Sequence, residues 1–182
     1  MRQTRNFTIS ILAIRTLGDP ALREVARPVE NFDRTLRRLA DDMLETMYDA
    51  PGVGLAAPQV GIASRFFVFD DGETGPTFLA NVRLMDPEGE NLRDEGCLSI
   101  PGPFSSTVRA QRITARGQDL EGRDVEIRAE GLLARILQHE TDHTDGVLYI
   151  DRLDDEARRE VMRLMREQEL RRAAGDVRSP QP

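Results

Sequence analysis

The sequence predicts one domain in which helices and strands occupy separate stretches of the chain, with a mostly β middle between helical segments. Three observations indicate this arrangement. Helical spacing of apolar residues occurs before residue 50, strand-like runs follow between about residues 65 and 130, and helical spacing returns from Gly131. A chain of 182 residues with 39% hydrophobic content has the size of one ordinary domain, so we expect residues 1–182 to share one core.

The composition excludes several classes of protein. No stretch approaches the roughly twenty apolar residues that span a bilayer, and arginines interrupt the short apolar run near the N-terminus, so neither a membrane span nor a secretory signal is predicted. Cys97 is the one cysteine, which excludes an internal disulfide and fits a reducing compartment such as the cytoplasm. The net charge of -7 argues against binding to DNA, which requires clustered basic groups.

Groups able to carry out catalysis are few in this chain. All 25 basic residues are arginine, which removes every mechanism that needs a lysine. No GxSxG turn accompanies the two histidines, so a serine nucleophile is not predicted. The nitrogen and sulfur groups that borderline metals prefer are therefore confined to Cys97, His139 and His143.

The first helix is predicted over residues 33–48, where Asp33 is a suitable N-cap. The apolar positions that follow a three-four spacing are Leu36, Leu39, Met43 and Met47. Residues 51–61 (PGVGLAAPQVG) are too rich in glycine and proline for a regular element, and we interpret them as a loop with little side-chain cover on its backbone.

The middle of the chain is predicted to form strands. Residues 65–70 (RFFVFD) have the composition of a buried strand, and residues 77–85 and 107–116 are typical of further strands. The dipeptide EG at 121–122 is predicted to be the turn of a hairpin that leads into the strand DVEIRA.

A helix is predicted from Gly131. Ile136, His139 and His143 fall within about 40° of Leu132 on a helical wheel, so the histidines continue an apolar stripe. Glu140 lies on one flank of that stripe. A last helix is predicted over residues 154–174, and its expected buried side is Ala157, Val161, Leu164, Met165 and Gln168. We expect a core of about residues 11–170 and flexible tails at 1–8 and 175–182.

The histidine spacing predicts a metal site. Histidines at positions i and i+4 of a helix lie one above the other, so both rings can reach one ion, as in HExxH zinc sites. A catalytic ion keeps three protein ligands, and the candidates for the third are a carboxylate or Cys97. A lone cysteine is more often an inert core residue, but EGCLS, flanked by the turn-forming IPGP, would present Cys97 from a loop or strand end.

Three stretches resemble the motifs of the peptide deformylase family, in the same order and at similar intervals: GVGLAAPQ at 52–59, EGCLS at 95–99 and HETDH at 139–143. The resemblance extends over about residues 11–170. It implies an α+β domain in which small mixed or antiparallel sheets pack around a central metal-binding helix, with a C-terminal helix. It also implies a hydrolase that removes the formyl group from the initiator methionine of new polypeptides and releases formate.

The resemblance also implies roles for individual residues. Cys97, His139 and His143 would hold one divalent ion, which lowers the pKa of a bound water. Glu140 would act as general base, and the Gln59 amide and the Leu98 backbone N–H would stabilise the oxyanion. The mixed ligand set suits Zn²⁺, whereas the family favours Fe²⁺, with Zn²⁺, Ni²⁺ or Co²⁺ as substitutes.

A substrate groove follows from the same motifs. The glycines at 52 and 54 leave backbone exposed, so an extended formyl-methionyl peptide can pair with the chain as an added strand. By resemblance the methionine side chain would contact a set of residues that composition alone assigns to the core: Val53, Leu98, Leu132 and Ile136, with Glu95 nearby. Glu95 could instead be a structural partner of an arginine such as Arg109. Phe104 stands near the substrate entrance, where many relatives carry an arginine, so it bears on preference beyond the methionine.

Two other functions remain open from the sequence. One is a zinc peptidase of the HExxH type, which the missing distal ligand motif and the presence of EGCLS disfavour. The other is a catalytically silent relative that associates with the ribosome. The arginines of the last helix could dock near the ribosomal exit tunnel, although interspersed acids make a merely solvated face as good an interpretation. These arginines are Arg158, Arg159, Arg163 and Arg166.

Overall fold

Antiparallel sheets and three α-helices make up the part of the chain that the computed structural model describes, residues 10–174. The predicted tails at 1–8 and 175–182 lie outside these residues. The strands are β1 (Gly54–Ala56), β2 (Phe66–Phe69), β3 (Thr77–Glu88), β4 (Asn91–Cys97), β5 (Ile100–Arg109), β6 (Arg112–Gln118) and β7 (Asp124–Glu130). The helices are α1 (Arg34–Asp49), α2 (Gly131–Thr144) and α3 (Asp155–Ala173).

The strands form two sheets. Five of them lie in the order β1-β2-β3-β6-β7, and β4 and β5 form a separate hairpin. Every pair of neighbouring strands is antiparallel. The sheets, which were expected to be mixed or antiparallel, are therefore antiparallel. Short 3-10 helices lie before α1 at Pro20–Arg23, between β1 and β2 at Ala57–Val60, and between α2 and α3 at Tyr149–Arg152.

The strand β2 explains where the core lies. Alternate side chains of a strand point to opposite faces. Phe66 and Val68 therefore pack with α1, whereas Phe67 and Phe69 pack with α2. All four are buried, which is why the sequence shows an unbroken apolar run here rather than alternation. The large sheet is thus covered on both faces, and α2 lies in the middle of the fold.

The predicted helices are confirmed. Asp33 caps α1, because its carboxylate accepts hydrogen bonds from the backbone N–H groups of Thr35 and Leu36. Asp154 caps α3 in the same way through Ala157 N. The predicted side of α3 faces the protein, with Val161 buried, and the helix packs against β5.

Two predictions about the middle of the chain are wrong. The segment 107–116 is not one strand, because β5 ends at Arg109 and β6 begins at Arg112. The chain changes sheet at this point: β5 pairs with β4, whereas β6 pairs with β3 and β7. The segment 51–61 is not free of regular structure, because it contains β1 and a 3-10 turn. Backbone pairing with β2 needs no large side chains, so the glycine content misled the prediction.

Among residues 10–174, no helix is both long enough and apolar enough to cross a membrane.

Candidate metal centre

Three side chains from two elements bring their donor atoms together. His143 Nε2 lies 3.2 Å from Cys97 Sγ and 3.2 Å from His139 Nε2. One donor atom from each of the three residues lies within 4.8 Å of the others. Donors bound to one tetrahedral ion at about 2.0 to 2.3 Å are roughly 3.3 to 3.6 Å apart. The two separations measured from His143 Nε2 are close to these values, and the third donor pair lies within 4.8 Å, so the three side chains can converge on one divalent ion.

The sulfur is presented by the β4–β5 hairpin. Cys97 is the last residue of β4 and pairs with Ile100 across a two-residue turn formed by Leu98 and Ser99. The predicted strand end is therefore confirmed. The predicted turn at residues 100–103 is wrong, because these residues lie in β5 and the chain reverses before them.

The two rings are presented by α2, and burial increases along the predicted stripe. Leu132 is 55% exposed at the start of the helix, whereas Ile136 and His143 are 3% and 1% exposed. Composition had assigned Leu132 and Val53 to the core, and this assignment is wrong, because Val53 is also 49% exposed. Both side chains line the pocket that leads to the donor atoms.

The surroundings shift the pKa values of the two rings in opposite directions. Burial lowers the pKa of His143 well below its ordinary value and so keeps the ring neutral. Burial acts in the same direction on His139, but hydrogen bonds with Cys97 and Glu95 outweigh it and raise its pKa. An ion that binds His139 must therefore displace a proton from the ring or from its neighbours.

Glu95 fixes the orientation of His139. Its Oε1 lies 2.6 Å from His139 Nδ1, which leaves Nε2 directed at the other donors. Burial alone would raise the pKa of Glu95, but hydrogen bonds from His139 and Arg109 hold it well below its ordinary value. Arg135 also donates to Glu95, at 2.6 Å. The alternative that Glu95 is the partner of Arg109 is thus realised, although Glu95 also lines the pocket.

A second buried acid adjoins the site. Asp142, directly before His143, accepts hydrogen bonds from Arg109 and Arg152. Neither Asp142 nor Arg135 was predicted as a site residue from the sequence. The one local signal was a charged residue, Arg135, between two positions of the apolar stripe of α2, which indicates a buried charge that needs a partner.

Glu140 points into the pocket beside the donor atoms. It is 3% exposed, and its Oε2 finds no hydrogen-bond partner within residues 10–174. Burial raises the pKa of Glu140 to about 7. A Cβ placed on Gly54 would come within 2.7 Å of Glu140 Cδ, so only glycine leaves room for this carboxyl group. The flank position predicted for Glu140 therefore places it against the GVG segment.

Gln59 also lies beside the sulfur. Its Nε2 is 3.6 Å from Cys97 Sγ and donates to Ser99 Oγ at 3.2 Å. Its Oε1 accepts from Ala56 N at 2.8 Å, which fixes the amide. The side chain is buried. Leu98, which follows Cys97 in the turn, is half-buried.

One cavity of about 800 Å³ joins these groups to the surface. Its apolar wall is open to solvent at the mouth, where Phe104 is 69% exposed and its ring lies over Gly96. The predicted site residues that line it are Gly52, Val53, Gly54, Gln59, Glu95, Cys97, Leu98, Phe104, Leu132, Ile136, His139 and Glu140. His143 completes the donor group below this wall.

The fold and the site together define a metal-dependent hydrolase in which one helix supplies two histidines and a hairpin supplies a cysteine. The family model for polypeptide deformylase matches residues 11–159. A peptide deformylase from Parafrankia sp. (strain EAN1pec) is 50% identical over 163 residues, 88% of each chain. One from Acidothermus cellulolyticus is 51% identical over 162 residues, 88% of this chain and 89% of the other.

Solved structures agree with these sequence relatives. The crystal structure of a peptide deformylase from Legionella pneumophila has a TM-score of 0.85 and 41% identity, and the match covers 94% of this chain and all of the other. The chain belongs to the peptide deformylase family, metal-dependent enzymes that remove the N-formyl group from nascent peptides. The resemblance drawn from the three motifs is confirmed, and the zinc peptidase alternative is set aside.

Proposed function

We propose that Cys97, His139 and His143 hold the divalent ion of this enzyme and that Glu140 is the residue that transfers protons in the removal of the formyl group. One observation carries the assignment. Glu140 is a buried carboxyl group with a free oxygen beside three converging donor atoms. A carboxyl group in this position can take a proton from a water at the donor atoms and pass it to the leaving amine.

The remaining steps follow from the positions of the side chains. When bound, a divalent ion lowers the pKa of a water and polarises the formyl oxygen. Glu140 Oε2 takes a proton from the attacking water, whose oxygen forms a bond to the formyl carbon. Gln59 Nε2 and the Leu98 backbone N–H donate hydrogen bonds to the carbonyl oxygen as it becomes negative. Glu140 then delivers the proton to the amine nitrogen, the C–N bond breaks and formate leaves.

The substrate is held by backbone and by apolar contact. β1 is an edge strand of the large sheet, and the pocket opens beside Gly52 and Gly54. An extended peptide can pair there with the exposed backbone, as strands add to a free edge. The methionine side chain then lies against the apolar wall formed by Val53, Leu98, Leu132 and Ile136, and residues after the methionine pass Phe104 at the mouth.

Metal identity, location and ribosome association are further parts of the proposal. We take the native ion to be Fe²⁺, with Zn²⁺, Ni²⁺ or Co²⁺ as substitutes, in a cytoplasmic enzyme that acts on nascent chains. The arginines of α3 support docking near the ribosomal exit tunnel, although Arg163 pairs with Glu160 and Glu167. Replacing Arg159 and Arg166 with glutamate should abolish cosedimentation with ribosomes, and unchanged cosedimentation would remove this part.

Substitution of Glu140 tests the central assignment. After anaerobic purification, Glu140→Gln should retain about one metal ion per chain while formate release from a formyl-methionyl peptide falls by roughly 10²- to 10⁴-fold. The control is Glu90→Gln, an exposed glutamate in the β3–β4 turn, which should behave as the unmodified chain. Unchanged formate release by Glu140→Gln would overturn the role of Glu140 in proton transfer. If the unmodified chain binds metal but releases no formate, the protein is instead a catalytically silent relative.

A further inference from the structure

We infer that Arg109 is a positioning residue that sets the separation between the cysteine hairpin and the histidine helix. The inference rests on the proposed metal site, but it concerns a residue that touches neither the donor atoms nor the substrate pocket. Three hydrogen bonds of one buried guanidinium carry it: two are donated to Glu95 on β4 and one is donated to Asp142 on α2.

The first two contacts join Arg109 to the hairpin strand that ends in Cys97. Arg109 is the last residue of β5, and its side chain is buried. Nη2 and Nε donate to the two carboxylate oxygens of Glu95 at 2.5 and 3.1 Å, a bidentate arrangement that fixes both direction and distance. Glu95 lies two residues before Cys97 on β4. The guanidinium therefore braces the strand that presents the sulfur.

The third contact joins Arg109 to the helix. Nη1 donates to Asp142 Oδ2 at 2.5 Å, and Asp142 directly precedes His143 on α2. Glu95 at the same time accepts from His139 Nδ1. The Arg109 guanidinium thus connects Glu95, which orients the His139 ring, with Asp142, which directly precedes His143.

The energetics favour a geometric role over a simple stabilising one. Glu95, Arg109 and Asp142 are 6%, 4% and 6% exposed, and burying such charges costs about as much as their attraction returns. In some proteins, buried ionic groups instead specify one arrangement of the parts they join. Metal donors must be held to within about 0.5 Å of their places, so a rigid link between hairpin and helix has a direct use here.

Arg65 provides a matched control. It also connects the sheet to α2, because its guanidinium pairs with Asp145 and donates to Val82 O. Asp145 lies just after the end of α2, and the contacts of Arg65 reach neither Glu95 nor a proposed ligand. Its loss should therefore lower stability without altering the separation of sulfur and nitrogen.

The experiment measures Co²⁺ binding and not only activity. Arg109→Met, Asp142→Asn and Arg65→Met are prepared as full chains, and Co²⁺ affinity is determined by competition with a chelator alongside the thiolate absorption bands of the complex. Arg109→Met should bind Co²⁺ roughly 10- to 100-fold more weakly and with shifted bands, as is usual when the partners of metal ligands are lost. Arg65→Met should lower the melting temperature while leaving affinity and spectrum unchanged.

Two further comparisons make every result decisive. Arg109→Lys keeps the charge but not the planar fork, so the affinity should stay lowered even where the melting temperature recovers. If Arg109→Met does not fold, Asp142→Asn provides the test in its place. It keeps the shape of the network, and it should weaken Co²⁺ binding. Unchanged affinity and spectrum in every variant that folds would overturn the inference. Absence of Co²⁺ binding by the unmodified chain would instead refute the proposed metal site itself.

Discussion

At the scale of single residues, the site depends on how closely Gly54 and Glu140 approach each other. The carboxyl group fills the space that any Cβ at position 54 would need. Glu140 is held by this contact and by burial rather than by hydrogen bonds to both of its oxygens. Gly54 is therefore as much a part of the proposed catalytic arrangement as Glu140.

Gly54→Ala should consequently reduce turnover without removing the metal. The added methyl group displaces Glu140, and a shift of about 1 Å in a catalytic group can lower the rate roughly 100-fold. Formate release and metal content are measured on the same preparation. Gly75→Ala is the control: a Cβ there meets no atom within 4 Å, but the φ of 76° strains an alanine, so this variant should lose stability while retaining full turnover. Normal activity of Gly54→Ala would show that the carboxyl group can act from another position.

The residues around the ion differ in how far they could be predicted. His139, Glu140 and His143 were predictable because their relation is local, fixed by the four-residue spacing of a helix. Arg135 and Asp142 were not, since their partners lie 40 and 33 positions away in the chain. A single sequence carries no signal for such pairs, and Cys97 was assigned as third ligand only once the family motifs were considered together.

At the scale of elements, the hairpin β4–β5 combines two tasks. Its turn presents Cys97, and its outer face carries Phe104 at the mouth of the pocket. The side chain of Phe104 is largely exposed. An exposed aromatic ring beside a binding pocket offers apolar contact to whatever leaves that pocket.

Phe104→Ser should weaken binding of peptides with apolar residues after the methionine. Loss of the ring contact is expected to raise KM by roughly 5- to 10-fold for formyl-Met-Leu-Phe and to leave kcat unchanged. A peptide with serine at both following positions should show no change in KM. Val108→Ser is the matched control, since Val108 is exposed on the same strand but does not line the pocket. Equal effects on both peptides would contradict a role in preference.

The first helix allows a separate test of local stability. Asp33→Ala removes the acceptor for two backbone N–H groups at the start of α1 and should lower the free energy of unfolding by about 1 kcal/mol. Denaturant unfolding gives this difference directly. Asp41→Ala, at an exposed position within the same helix, should change stability much less. A loss for Asp33→Ala no greater than that for Asp41→Ala would show that the cap is dispensable.

The elements were predictable where the pattern alone determines structure. The helices α1, α2 and α3 follow their apolar periods and caps, and β2 follows its unbroken apolar run. The prediction of one strand over residues 107–116 failed because the composition is strand-like throughout. The break at 110–111 arises from a change of sheet, which the composition does not show. The strand β1 was not predicted, because its pairing depends on a partner strand about a dozen residues further along the chain.

At the scale of the whole molecule, the ion should stabilise the native state. A ligand present at 100 to 1,000 times its Kd adds about 2.7 to 4.1 kcal/mol, which for a chain of this size corresponds to a rise of roughly 5 to 15 °C in Tm. Chelation should therefore lower Tm by this amount, and readdition of Zn²⁺ should restore it. His143→Ala should show almost no response to chelator. A Tm that is independent of chelator in the unmodified chain would argue against a tightly held ion.

The distance along the chain between the proposed metal ligands affects when an ion can bind during synthesis. Cys97 and His143 are separated by 46 positions, and the chain lays down β5, β6 and β7 between them. During synthesis the Cys97 thiol emerges well before either imidazole. Until α2 packs beside the hairpin, only His139 and His143 can bind the same ion, and two ligands hold a cation much more weakly than three. If these three residues are the ligands, we expect tight metal binding only after the intervening strands have formed and α2 has packed beside the hairpin.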